Sequence, residues 1–258
     1  MDFWEAVLLG VLQGLAEWLP VSSEGLVSLM SKLYYGRSLE SALAAAIWLH
    51  VGTLFSAVIY LRSDIAKVMT GFRKQGEERR LLLFLVAATA SSALTALPIV
   101  LFLGELTITD WLFTLVVGLL LLLTGVLPRK ALRSIWVERV SEGLVVGLVQ
   151  GLSIIPGVSR SGVTITTLLL LGASTDQSFR LSYLMSIPVV AGAQILLPLL
   201  FDVQVFTIEM LAGAAAAFVT GFLMMKVLLT ASAKLDHRVF MIPLGAAISF
   251  LGILMAFQ

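Results

Sequence analysis

The chain has 258 residues, 59% of them hydrophobic and 13% charged, and a mean hydropathy of +1.02; soluble domains carry roughly twice that charged fraction. This composition excludes a soluble globular protein. The net charge of +1 excludes neither acidic nor basic partners, no nucleic-acid partner is expected, and the lack of cysteine rules out disulfides and thiolate chemistry.

Apolar runs of about 20 residues recur along the whole length, which predicts membrane helices rather than the ~10-residue alternation of a barrel. The opening "MDFWEAVLLG" carries acids where a signal peptide would be basic, so no cleavable signal is expected. In chain order, residues 1 to 38 form a polar-interrupted apolar segment, and full spans are predicted near 41 to 61, 81 to 103 and 111 to 127. Residues 140 to 178 form a second interrupted segment, followed by spans near 179 to 200, 209 to 229 and 239 to 257.

Charge orients these spans. The connections "RSDIAKVMTGFRKQGEERR" and "RKALRSIWVER", together with Lys226, Lys234 and Arg238, hold 13 of the 17 Lys/Arg. "GELTITD" and "FDVQVFTIE" hold none, so the basic stretches are placed in the cytoplasm and these two outside. Lys32 and Arg37 run against that rule, falling on the outer side. Arg139 is then inside and Asp202 outside, a crossing that the span 179 to 200 supplies alone. Residues 140 to 178 must therefore enter and return on one side, and the same parity makes residues 1 to 38 a second re-entrant hairpin from the opposite face. Irregular backbone at that depth is tolerated only inside protein or beside a water-filled cavity.

An internal repeat supports the hairpins. Shifted by 137 positions, "EAVLLGVLQGLAEWLPVSSEG" (5 to 25) lies without gaps on "EGLVVGLVQGLSIIPGVSRSG" (142 to 162). The pairs Glu5/Glu142, Gly10/Gly147, Gln13/Gln150, Gly14/Gly151, Ser22/Ser159 and Gly25/Gly162 are among its identities. Three spans separate the copies, so they are inverted. The fold class expected is an all-α integral membrane protein, six transmembrane helices plus two re-entrant helical hairpins in an inverted repeat. It forms a single membrane domain with repeats at approximately 1–128 and 138–258. Such repeats place a site near the bilayer midplane.

Arg160, in "PGVSRSGVT", is the first candidate for that site. An arginine at membrane depth costs about 2.5 to 3.5 kcal/mol on insertion scales, so it needs an anionic partner. Glu17 of the opposing hairpin is one; a phosphate is the other, since guanidinium matches phosphate oxygens bidentately and a helix start adds N–H groups. Ser159, Ser161 and Thr164 add hydroxyls around the same turn. In the first hairpin Gln13 and Glu17, four apart, share a helix face. Ser22 and Ser23 follow the Leu19-Pro20 break. A carboxylate can hold a divalent cation or accept a proton, and a serine beside it can attack phosphorus. Gly10-x-x-x-Gly14 and Gly147-x-x-x-Gly151 read as close-packing helix faces. His50 lies within a span, either lining the cavity or packing, and His237 lies in a basic turn. No Walker loop, paired metal-ligand histidines or G-x-S-x-G element is present.

"QGLAEWLPVSSEG" and "PGVSRSGVT" closely resemble the two signature motifs of the undecaprenyl pyrophosphate phosphatase family, also called bacitracin-resistance proteins. Those are an (E/Q)-x-x-x-E element leading into Pro-x-Ser-Ser, and P-G-x-S-R-S-x-x-T; the second match is complete and the first partial. The resemblance implies a multi-pass enzyme of the cell (plasma) membrane that removes the terminal phosphate of a polyprenyl diphosphate and recycles the lipid carrier. It further implies catalytic roles for Glu17, Ser23 and Arg160, and substrate contacts from Gln13, Ser22, Ser159, Ser161 and Thr164. A divalent cation (Mg or Ca) would be held by Glu17, and a homodimer is left open. One departure stands out: members usually continue Ser-Ser-x-Gly-His, whereas Leu26 occupies the histidine position here. Glu24 and His50 are the candidates to carry the proton instead. The rival reading is a polyprenyl-phosphate transporter of the same fold, because binding a phosphate and hydrolysing it need the same arginine.

Overall fold

A computed structural model describes residues 1–37, 39–102, 138–155, 158–201, 207–233 and 237–256, with scattered positions between 111 and 126. Helices make up its regular structure, and no strand occurs among the described residues. The predicted span at 111 to 127 lies largely outside them.

Helix α1 (Phe3–Ala16) starts on a capping box, in which the Asp2 side chain accepts from the Glu5 N–H and the Glu5 carboxylate accepts from the Asp2 N–H. It stops ahead of Pro20, and α2 (Ser23–Tyr35) returns, ending at Gly36 with φ +62°. Helix α3 (Leu39–Tyr60) follows, then α4 (Arg62–Thr70), which departs from it by 69° at Leu61. Helix α5 covers Glu77–Phe102, and α6 covers Val140–Gly151 and ends in a 3₁₀ turn, Leu152–Ile154. Beyond that turn come α7 (Arg160–Leu170), α8 (Thr175–Phe201), α9 (Ile208–Ser232) and α10 (His237–Met255).

Three segments, Glu77–Leu101, Thr175–Leu196 and Ile208–Ser232, are long and apolar enough to cross a membrane, and the bent pair α3–α4 adds a fourth candidate. They fall where spans are predicted, although α4 occupies a stretch read from sequence only as a basic connection. Helices α1, α2, α6 and α7 have 14, 13, 12 and 11 residues. At about 1.5 Å per residue each falls short of the ~30 Å hydrocarbon core.

The short helices pack by glycine. A Cβ on Gly10 would collide with the carbonyl of Gly213 in α9, and one on Gly14 with Thr220 and Ala217. On the other side of the molecule, Gly147 meets Ala88 and Ser91 of α5, and Gly151 meets Ser92 and Thr95. Both Gly-x-x-x-Gly elements are therefore close-packing faces, as the spacing suggests. The arrangement is reciprocal: α1 lies on a helix of the second half and α6 on a helix of the first.

Val219, Leu223 and Val227 of α9 recur at helical spacing and are exposed, as a lipid-facing stripe should be. The interior buries Trp18, Phe84, Ile165, Leu168, Phe179 and Tyr183 in one cluster. Arg37, anomalous under the charge rule, is neutralised by the buried Glu5, with Nε and one terminal nitrogen at 3.0 and 2.7 Å from its two oxygens. This ion pair ties the end of α2 to the start of α1.

Candidate active site

The turns of the two hairpins touch. Ser161 Oγ donates to the Leu19 carbonyl at 2.5 Å, and a Cβ on Gly162 would stand 3.3 Å from that of Pro20. Two helix N-termini meet there. Ser22 Oγ accepts from the Gly25 N–H at 3.1 Å and Ser159 Oγ accepts from the Gly162 N–H at 3.1 Å, so the repeat identities Ser22/Ser159 and Gly25/Gly162 build the same cap twice. The outer helices match too, since Glu142 accepts from the Arg139 N–H at 2.8 Å as Glu5 accepts from Asp2. Both N-termini present partial positive charge to the space between the hairpins.

Glu17 is the centre of this site. It is buried, and its Oε2 accepts from Ser23 Oγ at 2.7 Å and Gln13 Nε2 at 2.9 Å, while His50 Nε2 lies at 3.2 Å. Its other oxygen accepts from an Arg160 terminal nitrogen at 3.0 Å. The ion pair considered from sequence as one partner for Arg160 is thus present. Arg160 also donates to the Ser182 carbonyl at 3.2 Å and lies 5.9 Å from the centroid of the Trp18 ring. Trp18 is held in turn by Tyr183, whose hydroxyl donates to the Trp18 carbonyl at 3.0 Å and whose ring meets the indole edge-on.

Of the residues singled out by sequence, Gln13, Glu17, Ser23, His50 and Arg160 form one contact network. Ser161 shares the junction, with Ser159 Oγ 3.2 Å from its hydroxyl. Thr164 turns instead toward α8: its hydroxyl meets Ser182 Oγ at 2.6 Å and bonds the Arg160 carbonyl at 2.8 Å. Glu24 is half-buried in the first turn of α2, within electrostatic range of His50 and Glu17. Gln150, the repeat mate of Gln13, joins no such network; it donates to Ser92 Oγ at 2.8 Å and ties α6 to α5.

His50 Nδ1 lies 2.7 Å from the Ala46 carbonyl, so both ring nitrogens face acceptors, an arrangement that the doubly protonated imidazolium satisfies. The chain has two histidines, and this one supplies the imidazole beside Glu17. Sequence reading missed Trp18, Ser182 and Tyr183. A signal existed for the α8 residues: Ser178, Ser182 and Ser186 repeat every fourth position in an apolar span, which marks a face turned to protein rather than lipid.

Among the described residues, no group of three or more His, Cys, Asp or Glu side chains could hold a metal ion by itself. Oxygen donors are nonetheless at hand. Among the described residues the Gln13 amide oxygen is buried without a hydrogen-bond partner, while the amide nitrogen of the same side chain donates to Glu17. Oxygen donors of this kind are the ones a hard divalent cation takes.

Fold and site define a helical membrane protein that gathers an acid, a hydroxyl and an arginine where two helix N-termini converge. A match to the family "Bacitracin resistance protein BacA" runs over residues 6–247, and the chain belongs to that family. It is 39% identical over 252 residues to an undecaprenyl-diphosphatase of Methanococcoides burtonii, covering 93% of this chain and 95% of that protein. It is 39% identical over 226 residues to one from Haloarcula marismortui, covering 83% of each, and 35% identical over 251 residues to one from Methanothrix thermoacetophila, covering 95% of each.

Proposed function

We propose that this chain is a polyprenyl-diphosphate phosphatase of the undecaprenyl-diphosphatase type, recycling the lipid carrier of envelope glycan synthesis. The observation that carries the reading is Glu17 bridging Ser23 and Arg160 through its two oxygens. Relatives with that activity match nearly the full chain, and this favours hydrolysis over transport.

Arg160 releases Glu17 and takes the diphosphate oxygens in its guanidinium fork, at the start of α7 where backbone N–H groups also point at the anion. Ser23 Oγ attacks the terminal phosphorus, its proton passes to Glu17, and the bond from that phosphorus to the bridging oxygen breaks to free the prenyl monophosphate. Water then hydrolyses the phosphoserine to inorganic phosphate and restores Ser23. Gln13 and His50 hold the carboxylate toward the serine; His50 does so in a chain whose residue 26 is leucine. Glu17, Glu24 and the Gln13 amide oxygen are the groups that would hold a divalent cation. Such an ion, when bound, neutralises charge on the phosphate oxygens. Stabilising that charge is the usual main term in phosphoryl transfer.

Incubating the purified chain with undecaprenyl diphosphate, with and without chelator, tests the function. The lipid monophosphate and inorganic phosphate should appear in equal amounts, and chelator should suppress both. Intact diphosphate in every sample would return the chain to the transporter reading.

The finer architecture is part of the same proposal: six spans and two re-entrant hairpins in inverted halves, in the plasma membrane. The reciprocal packing of α1 on α9 and α6 on α5, and the twice-built serine caps, support it. In this cysteine-free chain, Gln75→Cys should react with an impermeant thiol reagent only from the cytoplasmic side and Thr207→Cys only from outside. Labelling of both from one side would break the crossing parity on which the hairpins rest.

A further inference from the structure

Hydrolysis consumes one water per diphosphate, yet Glu17 and Ser23 are buried among apolar helices. A route for that water has to exist. Most hydroxyls in these helices are satisfied locally: Ser56, Thr89, Thr167, Ser178 and Ser186 each donate to a carbonyl three or four residues back. Ser28 and Ser31 of α2 do not. They are 7% and 1% exposed, and among the described residues neither hydroxyl has a hydrogen-bond partner. Ser249 shares that trait but stands elsewhere, against Gly118.

At 3.6 residues per turn, Glu24, Ser28 and Ser31 fall within roughly 60° of one another on α2. The face runs from the half-buried carboxylate beside the site toward the far end of the helix. Next to it, Val27 closes onto an apolar cluster with Leu9, Ala46 and Leu49. At its end the Ser31 carbonyl accepts from the Arg37 N–H at 3.3 Å, and the Arg37 side chain, paired with Glu5, reaches solvent. Polar side chains thus recur along one face of α2 between Ser23 and the Arg37 end of the hairpin. Two buried hydroxyls without protein partners on one face beside a carboxylate are what ordered water requires.

We propose that the Glu24–Ser28–Ser31 face of α2 lines a water file that joins the Arg37 end of the first hairpin to Ser23 and delivers the water used in hydrolysis. It rests on the phosphatase reading for its purpose, though not for its existence. The test uses the full chain in proteoliposomes, with Ser28→Cys, Ser31→Cys and, roughly 130° away on the exposed face of α2, Met30→Cys. A small cationic methanethiosulfonate should modify Ser28→Cys and Ser31→Cys and leave Met30→Cys unmodified. Modification at either file position should lower phosphate release about ten-fold with KM unchanged, because substrate binding is not touched. Silence at either position in a chain that still folds, or modification of both without change in turnover, would overturn the file. Ser28→Val and Ser31→Val give a second reading: each should lower kcat at constant KM, and unaltered kcat in both would contradict the file. If the parent chain releases no phosphate, the phosphatase reading falls alone and the labelling pattern still decides whether the file exists.

Discussion

Glu17→Gln should abolish turnover while the protein still folds and still binds its lipid. Glutamine keeps the size of the side chain, and its carbonyl oxygen can still accept from Arg160, so the buried contact is weakened rather than emptied. The amide group cannot take the proton of Ser23, whose hydroxyl lies 2.7 Å from Glu17 Oε2 in the native protein. General acid or base catalysis contributes typically ~10²- to 10⁴-fold, and kcat is expected to fall by about that much. Measured without divalent cation, lipid affinity should hold or rise, because Arg160 no longer has a carboxylate competing with the diphosphate for its guanidinium. Steady-state kinetics beside a direct binding measurement separate the two effects. Retained turnover would remove Glu17 from proton transfer.

Arg160→Lys should fail nearly as badly as Arg160→Ala. The native guanidinium engages Glu17 at 3.0 Å and the Ser182 carbonyl at 3.2 Å, and Trp18 lies beneath it. An ammonium keeps the charge but has neither the fork nor the flat face that this setting accommodates. Arginines that stabilise phosphoryl transfer are worth about 10³- to 10⁵-fold, and a loss in that range is expected for both variants. The alanine variant should also lose stability, since it leaves Glu17 buried with one cationic partner fewer, although His50, Ser23 and Gln13 stay on the carboxylate. A lysine variant with near-native turnover would mean that charge alone suffices and that no bidentate clamp operates.

Much of this site is legible in the sequence because its parts are local. Gln13 and Glu17 converge because they are four apart on one helix, Ser23 follows a proline break, and Arg160 begins a helix behind a serine cap. Even the repeat can be decoded residue by residue. Glu5 and Glu142 cap their helices, the paired glycines admit neighbouring helices, and Ser22 and Ser159 cap the inner turns. What could not be read depends on distant packing. Gln13 and Gln150 are identical in the repeat yet one serves the acid and the other ties α6 to α5, because different helices lie opposite them. Trp18 and Tyr183 support Arg160 through contacts across more than 140 residues, and the serine spacing of α8 marks a protein-facing side without showing that the Ser182 carbonyl accepts from Arg160. The pairing of Arg37 was not legible because its partner, Glu5, is 32 residues away, and the charge pattern gave no sign that the basic stretch after residue 61 would bend into α4.

The most direct test of the whole scheme is hydrolysis of undecaprenyl diphosphate in ¹⁸O-labelled water, with mass analysis of both products. Attack at the terminal phosphorus, whether Ser23 is phosphorylated first or water reacts at once, places the heavy oxygen in inorganic phosphate and none in the prenyl monophosphate. Heavy oxygen in the prenyl monophosphate, or lipid bound and recovered as unlabelled diphosphate, would contradict a Ser23–Glu17–Arg160 site acting on the terminal phosphate.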